Sequence, residues 1–172
     1  GKERHDIGRT DGELLSVAYP SRALRNDQYL YIRNFESHRW PVGNPEYGLL
    51  NCDDSPTKTF LTNLTHDPAE KQWYDMSFGK RPKQQLFDMQ NDPDCVEDLA
   101  GDPALAETVN KLWLQLKTEL KAQGDPRVLG EGEIFDYYPN CRIDRQQKLY
   151  GKPDYDPVQI FQEKSQSSVL PD

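Results

Sequence analysis

Residues 102–126, DPALAETVNKLWLQLKTELKAQGDP, decide the fold. Their large apolar side chains recur at helical spacing and form one stripe: Leu105, Val109, Leu112, Trp113, Leu116 and Leu120. Asp102 suits the N-cap, Pro103 the first helical position, and Gly124 the left-handed residue that ends a helix. The pattern predicts a helix over residues 103–123. Because only one side of it is apolar, it must pack on another element, most simply a sheet.

Two strands are predicted upstream of this helix. Residues 19–25 and 28–35 are joined through Asn26-Asp27, which tolerate the positive φ of a tight hairpin turn. In the second strand, one face carries the aliphatic residues Leu30 and Ile32. The other face carries Tyr29, Tyr31 and Arg33. We expect the aliphatic face to pack on the helix and the other face to present the tyrosines and the arginine.

A third strand is predicted at residues 85–89, before the turn at 91–94. The fold class is therefore α+β: a small antiparallel sheet of three to four strands packed by one long amphipathic helix. Residues 34–83 form a long excursion, in which Ser55-Pro56 opens a short helix that ends near Leu64. The opening residues show no strand or capping signal.

The C-terminal segment differs from the rest of the chain. Residues 131–172 have no sustained periodicity, which predicts an irregular extension beyond a domain of residues 1–130. A segment that cannot form its own core must wrap over a larger protein or remain mobile. We therefore expect the chain to be part of something larger.

Composition excludes some classes of protein. The chain has 172 residues, 35% of them hydrophobic, and a formal net charge of -8. An acidic balance argues against nucleic-acid binding, which needs a surplus of Lys and Arg. No stretch approaches the length of a membrane span. The three cysteines are widely separated, which favours free thiols over a metal cluster, with one disulfide as the alternative.

The segment from Arg81-Pro82 through residues 85–89, Asn91-Asp92-Pro93 and Glu97-Asp98-Leu99-Ala100 resembles the "RP…ELYDL…DP…E…NLA" signature of type I sulfatases. Residues 19–25 with 29–32 are similar to the "YP-x-R-A-x-R…YLYI" hairpin of heparan N-sulfatase (N-sulfoglucosamine sulfohydrolase)-like members. Together with Arg39-Trp40-Pro41 and Gly124-Asp125-Pro126, the likeness covers about residues 1–130.

The resemblance implies that the chain is the C-terminal subdomain of a larger α/β sulfatase fold. Such an enzyme would hydrolyse sulfate esters or sulfamates of heparan-like glycosaminoglycan sugars. Its formylglycine nucleophile and its calcium site are expected in an N-terminal catalytic domain, which is the implied partner. Ala18-Tyr19-Pro20-Ser21-Arg22 imitates the C/S-x-P-x-R motif, but Ala18 has no thiol or hydroxyl to oxidise. The resemblance thus implies no cofactor or metal site in this chain, and inactivity in isolation.

Four residues are candidates for binding a sulfated sugar: Arg4, His5, His38 and Arg39. An imidazole can donate to a sulfate oxygen, and a guanidinium can pair with sulfate or uronate. The alternatives are a solvated charge run around Arg4 and His5, and an ordinary loop anchored by Trp40. Asp53-Asp54 is interpreted as an acidic turn before a helix rather than a calcium pair.

Two functions remain open from the sequence. The first is the sulfatase subdomain, with a periplasmic, secreted or lysosomal location implied by the family. The second is a non-catalytic acidic module that binds carbohydrate or another protein.

Overall fold

The computed structural model describes residues 2–10, 13–43, 45, 49 and 52–137, and only the backbone of residues 2–18, 133, 136 and 137. Two compact units divide these residues. The first unit contains residues 2–4, 19–39 and 81–137, and the second contains residues 5–18 and 40–80. The predicted division into residues 1–130 and 131–172 stays a prediction.

The strands form one sheet in the order β1-β2-β3-β4. Their bounds are β1 Lys2–Thr10, β2 Glu13–Arg25, β3 Tyr29–Asn34 and β4 Gln84–Asp88. Strand β3 is antiparallel to β2 and to β4. The predicted α+β fold with its small antiparallel sheet is confirmed. Strand β1 forms without a strand signal in the sequence, because a charged run gives no apolar alternation from which a strand could be predicted.

The hairpin turn forms at the predicted position, but the expected positive φ is wrong, because neither Asn26 nor Asp27 adopts a left-handed conformation. The side-chain oxygen of Asn26 accepts hydrogen bonds from the backbone N–H groups of Gln28, at 2.9 Å, and Tyr29, at 2.6 Å. The register that follows pairs Leu24 with Tyr31 and Arg22 with Arg33. Asparagine can thus close the turn with its own side chain.

The long helix α3 spans Ala106–Ala122 and follows a 3₁₀ turn at Pro103–Leu105. Asp102 caps that turn, because its carboxylate accepts the Ala104 N–H at 2.8 Å. Gly124 has φ +71°, the left-handed conformation that ends the helix. A short helix α4, Pro126–Leu129, follows directly. The predicted helix over residues 103–123 is confirmed.

The core of the first unit lies between α3 and the sheet. It is formed by four stripe residues and two strand residues: Val109, Leu112, Leu116, Leu120, Tyr31 and Leu86. Each buried leucine contributes about 2 kcal/mol through removal of its apolar surface from water. Tyr31 is fully buried, and Tyr29 packs at the edge of the core.

The predicted orientation of β3 is therefore wrong. The face with Tyr29, Tyr31 and Arg33 packs toward the helix, and Leu30 with Ile32 lies on the other face. Tyr31 tolerates this burial because its hydroxyl reaches Gln84 Oε1, at 3.2 Å.

A carboxylate occupies the outer edge of β4. Asp98 Oδ1 accepts the Leu86 N–H, which points away from β3, at 3.0 Å, and the Ala100 N–H at 3.0 Å. At the end of the same strand, Asp88 accepts hydrogen bonds from Gln28 and from the Gln90–Asn91 turn. The Gln28 side chain is the main cause that lowers the pKa of Asp88.

The second unit contains two short helices, α1 Pro56–Asn63 and α2 Lys71–Phe78. Helix α1 has Ser55 as its N-cap, as predicted, and a 3₁₀ turn at Leu64–His66 extends it. Helix α2 was not predicted. Its N-cap position, Glu70, makes no side-chain capping bond, but Asp67 caps the turn before the helix, because its Oδ1 accepts the Ala69 N–H at 2.9 Å.

Lys58 anchors the loop before α1. Its ammonium donates to the carbonyls of Leu49 and Cys52, at 3.4 and 2.9 Å, and pairs with Asp54 at 3.0 Å. Asp53 is exposed. Asp54 therefore serves a helical ion pair, which agrees with the interpretation of Asp53-Asp54 as an acidic turn.

Three large apolar side chains on the helices of the second unit are in contact with solvent. Phe60 is 63% exposed, Trp73 42% and Met76 37%. Tyr74 packs against Phe78, with ring centroids 5.5 Å apart.

Cys52 and Cys95 are free, half-buried thiols. Cys141 and the predicted extension beyond residue 137 lie outside the described residues. Among the described helices, none combines the length and the apolar character that crossing a membrane requires.

Candidate functional site

A buried ion pair joins β2 to the segment after α3. Arg22 Nε lies 2.6 Å from Asp125 Oδ2, and the two side chains are 6% and 14% exposed. Arg22 Nη1 also donates to the Ser21 carbonyl, at 3.0 Å, and its guanidinium lies 6.0 Å from the Phe35 ring. A buried guanidinium needs such a carboxylate, because an isolated charge is costly away from water.

Asp125 also organises the turn in which it lies. Its Oδ1 accepts the Arg127 N–H at 2.9 Å, which caps α4, and Gly124 before it is left-handed. One carboxylate thus holds β2 with one oxygen and starts a helix with the other. This capping bond holds the backbone of Arg127 at the first turn of α4.

The Arg127 side chain is 3% exposed and reaches the turn after β3. Its Nη1 lies 3.6 Å from Glu36 Oε1, and its guanidinium lies 5.3 Å from the Phe135 ring. A Cβ at Gly132 would lie 2.4 Å from Arg127 Cδ, so the chain packs closely against the arginine stem. A larger residue at 132 would require the Arg127 side chain to shift.

The turn from Glu36 to Arg39 carries two of the predicted site residues. The Arg39 N–H donates to the Glu36 carbonyl at 2.9 Å, which closes the turn. His38 Nδ1 lies 3.6 Å from Glu36 Oε2, and the imidazole is 73% exposed. The Glu36 carboxylate therefore faces Arg127 with one oxygen and His38 with the other.

A further arginine, Arg33, lies on β3 directly opposite Arg22. Arg33 is the cross-strand partner of Arg22, and like charges in that position repel unless they are compensated. Its guanidinium lies 4.4 Å from the centre of the Trp113 ring, and its Nη1 is 3.4 Å from Gln84 Oε1. A stacked ring compensates part of the charge. Within the described part of the chain, Arg33 Nε is buried without a hydrogen-bond partner.

Two buried tyrosines in this unit have a raised pKa. Burial raises the pKa of Tyr19 to about 12, against the opposing effect of the Arg81 guanidinium. Burial also raises the pKa of Tyr31, and nearby Arg33 opposes that shift. The Tyr19 hydroxyl has no hydrogen-bond partner among the described residues. Both hydroxyls are therefore neutral at physiological pH, and Tyr31 donates its proton to Gln84.

The structure brings His38 and Arg39 together on one turn. Arg4 and His5 lie in strand β1, but their side chains are outside the described part of the chain. Sequence reasoning missed Glu36, Arg127, Arg22 and Asp125. The signal that could have found Asp125 is its place between glycine and proline, which is typical of an N-cap.

Chemically, the Glu36–Arg39 turn offers cationic and neutral donors to an anionic oxygen. Across the described side chains, no group of three or more His, Cys, Asp or Glu residues is arranged to hold a metal ion. What the turn can do on its own is bind and orient a ligand.

Comparison with known proteins gives two related sequences. An ulvan-active sulfatase of Formosa agariphila is 30% identical over 130 residues, which cover 73% of this chain and 22% of that protein. A second ulvan-active sulfatase of the same organism is 28% identical over 123 residues, 67% of this chain and 19% of that protein. No family model matches the chain.

The chain thus spans about a fifth of the length of the curated relatives it matches. The similarity supports a sulfatase-like relationship, and it does not identify which kind of sulfatase.

Proposed function

We propose that this chain is the C-terminal part of a sulfatase that hydrolyses sulfate esters or sulfamates on the sugars of a sulfated polysaccharide. The observation that carries the proposal is the 30% identity to a sulfatase over 130 residues. An aligned region of only 22% of that relative leaves most of an enzyme's length outside this chain.

In this proposal the chain supplies one wall of the substrate pocket. His38 donates a hydrogen bond to an oxygen of the anionic group, and Arg39 adds positive charge on the same turn. Arg4 and His5 are further candidates for the same ligand. The cleaving residues lie elsewhere: a formylglycine and a calcium ion are expected in an N-terminal catalytic domain, which is the partner of this chain. The formylglycine would supply the nucleophile, and residues 1–172 alone would release no sulfate.

The substrate class has two sources of support. The hairpin of residues 19–25 and 29–32 resembles heparan N-sulfatases, which favours a sulfated aminosugar of the heparan type. The relatives found by comparison are named for activity on ulvan. The property common to both is a substrate that carries sulfate, and we propose that class, with heparan-like sugars as the first substrate to test.

The test is release of inorganic sulfate by the full-length protein from N-sulfoglucosamine, heparan oligosaccharides and ulvan oligosaccharides. We expect release from at least one of them, and none from residues 1–172 alone. Binding of heparan or ulvan without any sulfate release by the full-length protein would instead identify the alternative, a non-catalytic carbohydrate-binding module.

The contact made by the turn is tested with matched variants. His38→Ala should raise KM about tenfold, the loss of one charge-assisted hydrogen bond. His66→Ala removes an exposed histidine from the second unit and should leave KM unchanged. Arg39→Ala is compared in the same way with Arg25→Ala, an exposed arginine at the end of β2. Equal KM values for His38→Ala and His66→Ala would remove His38 from the substrate pocket.

A further inference from the structure

We infer that Arg127 acts through Glu36 as a positioning residue that orients the imidazole of His38 toward its ligand. This inference rests on the proposed function of the Glu36–Arg39 turn and adds two residues to it. Neither residue needs to touch the substrate. Arg127 is 91 positions from Glu36 in sequence, and the two meet only because the segment after α3 returns to the sheet.

The first step of the inference is the shared carboxylate. Glu36 Oε1 lies 3.6 Å from Arg127 Nη1, and Glu36 Oε2 lies 3.6 Å from His38 Nδ1. Both distances are those of ion pairs rather than of short hydrogen bonds. The Glu36 side chain is 28% exposed, so its attraction to the Arg127 guanidinium is only partly weakened by water.

The second step is that Arg127 is itself held by several contacts. Its side chain is almost completely buried, its backbone N–H is held by Asp125, and its stem packs against Gly132. Asp125 is in turn paired with Arg22 on β2. A row of contacts therefore extends from the sheet to the turn. It runs from Arg22 through Asp125 and Arg127 to Glu36.

The third step concerns the ring nitrogen that remains. Because Nδ1 faces Glu36, Nε2 lies on the far side of the imidazole, and the ring is 73% exposed. A carboxylate behind one nitrogen favours a proton on that nitrogen and fixes the ring orientation, as a second partner does for ligand-binding histidines generally. Nε2 is then the atom that meets a sulfate or carboxylate oxygen of an acidic sugar.

The inference is tested in the full-length protein with Arg127→Met, which keeps the buried stem and removes the charge, and Glu36→Gln, which keeps the size. Both should raise KM about tenfold with kcat changed less than about twofold, the pattern of lost ground-state binding. Arg127→Lys should recover part of the loss. Lys71→Met removes a charge from an exposed pair in the second unit and is the matched control.

Two further readouts separate orientation from mere stability. In the double variant of His38→Ala with Arg127→Met, KM should be no higher than in His38→Ala alone, because Arg127 acts through that ring. In protein labelled with ¹⁵N-histidine, the His38 ring resonances should move in Glu36→Gln and Arg127→Met, and stay in place in Lys71→Met.

The inference is overturned if the folded Arg127→Met and Glu36→Gln variants keep the parent KM while His38→Ala raises it. Additive effects in the double variant would also overturn it. If Arg127→Met fails to fold, Glu36→Gln carries the test, since Glu36 is partly exposed. If His38→Ala leaves KM unchanged, the proposed contact between His38 and the substrate fails. The shift of the His38 ring resonances in Glu36→Gln and Arg127→Met then decides whether these residues orient the ring.

Discussion

The two units of the chain use the same kinds of residue in opposite surroundings. In the first unit, Arg22 and Asp125 are 6% and 14% exposed, whereas Lys71 and Asp75 in the second unit are 50% and 52% exposed. Apolar side chains show the same contrast: Leu116 is 4% exposed and Phe60 63%. The residue type therefore does not decide what an interaction contributes. Burial does, because water competes with exposed pairs and has left the buried ones.

The largest difference is expected when the acid of each pair is removed. Asp125→Ala leaves Arg22 buried without this carboxylate and removes the cap of α4, and should lower the free energy of unfolding by about 4 kcal/mol. Asp75→Ala, at the exposed pair, should change it by less than about 0.5 kcal/mol. Urea denaturation followed by circular dichroism measures both. Similar losses in the two variants would contradict the comparison.

Truncation of apolar residues is the next test. Leu116→Ala opens a cavity between α3 and the sheet and should cost about 3 kcal/mol. Phe60→Ala removes a larger side chain, but from an exposed position on α1, and should cost less than about 0.5 kcal/mol. The same denaturation experiment applies. A loss at Phe60 as large as that at Leu116 would mean that the second unit buries Phe60 in solution.

Two glycines separate the cost of a steric clash from the cost of an unfavourable backbone conformation. A Cβ at Gly79, after α2, would lie 2.5 Å from the Asp75 carbonyl oxygen, so Gly79→Ala should cost about 2 kcal/mol through overpacking. Gly124 has open space around it but φ +71°, so Gly124→Ala should cost about 1 kcal/mol through strain alone. Thermal unfolding of both variants gives the order, and a reversed order would show that Asp75 can shift to admit the methyl group.

The smallest effect at neutral pH is expected for Tyr19→Phe, which removes a buried hydroxyl without a hydrogen-bond partner among the described residues. The pKa of Tyr19 is raised to about 12 in the folded chain, against about 10 for an unfolded tyrosine. The folded state therefore binds more protons between these values, and stability falls as pH rises from about 10 toward 12. The variant should lose this part of the alkaline fall. Urea denaturation at pH 9 and pH 11 checks it, and identical losses in parent and variant would contradict it.

Local patterns predicted much of the fold. The apolar stripe of α3, the Asn26 turn and the Ser55 cap each lie within one element, where spacing and capping chemistry are visible in the sequence. The face of β3 was predicted wrongly because Leu30 with Ile32 and Tyr29 with Tyr31 both form apolar rows. Alternation alone does not say which row meets the helix.

The candidate site was harder to predict. His38 and Arg39 were found because a basic pair beside an aromatic residue is a visible local pattern. The contacts that support them were not, because Arg22 and Asp125 are 103 residues apart in sequence, and the Glu36–Arg127 contact also depends on the return of the chain after α3. A prediction of that kind needs the tertiary packing first.

The bond from Leu86 N–H to Asp98 has a consequence for assembly. Outer strands of sheets invite another chain to add itself, and proteins commonly block such growth with charge or with coverage. At β4 the outward amide of Leu86 is already satisfied by the Asp98 carboxylate from its own chain. An approaching strand would have to displace that carboxylate before it could pair with Leu86, which makes this part of the edge a poor place for another chain to add.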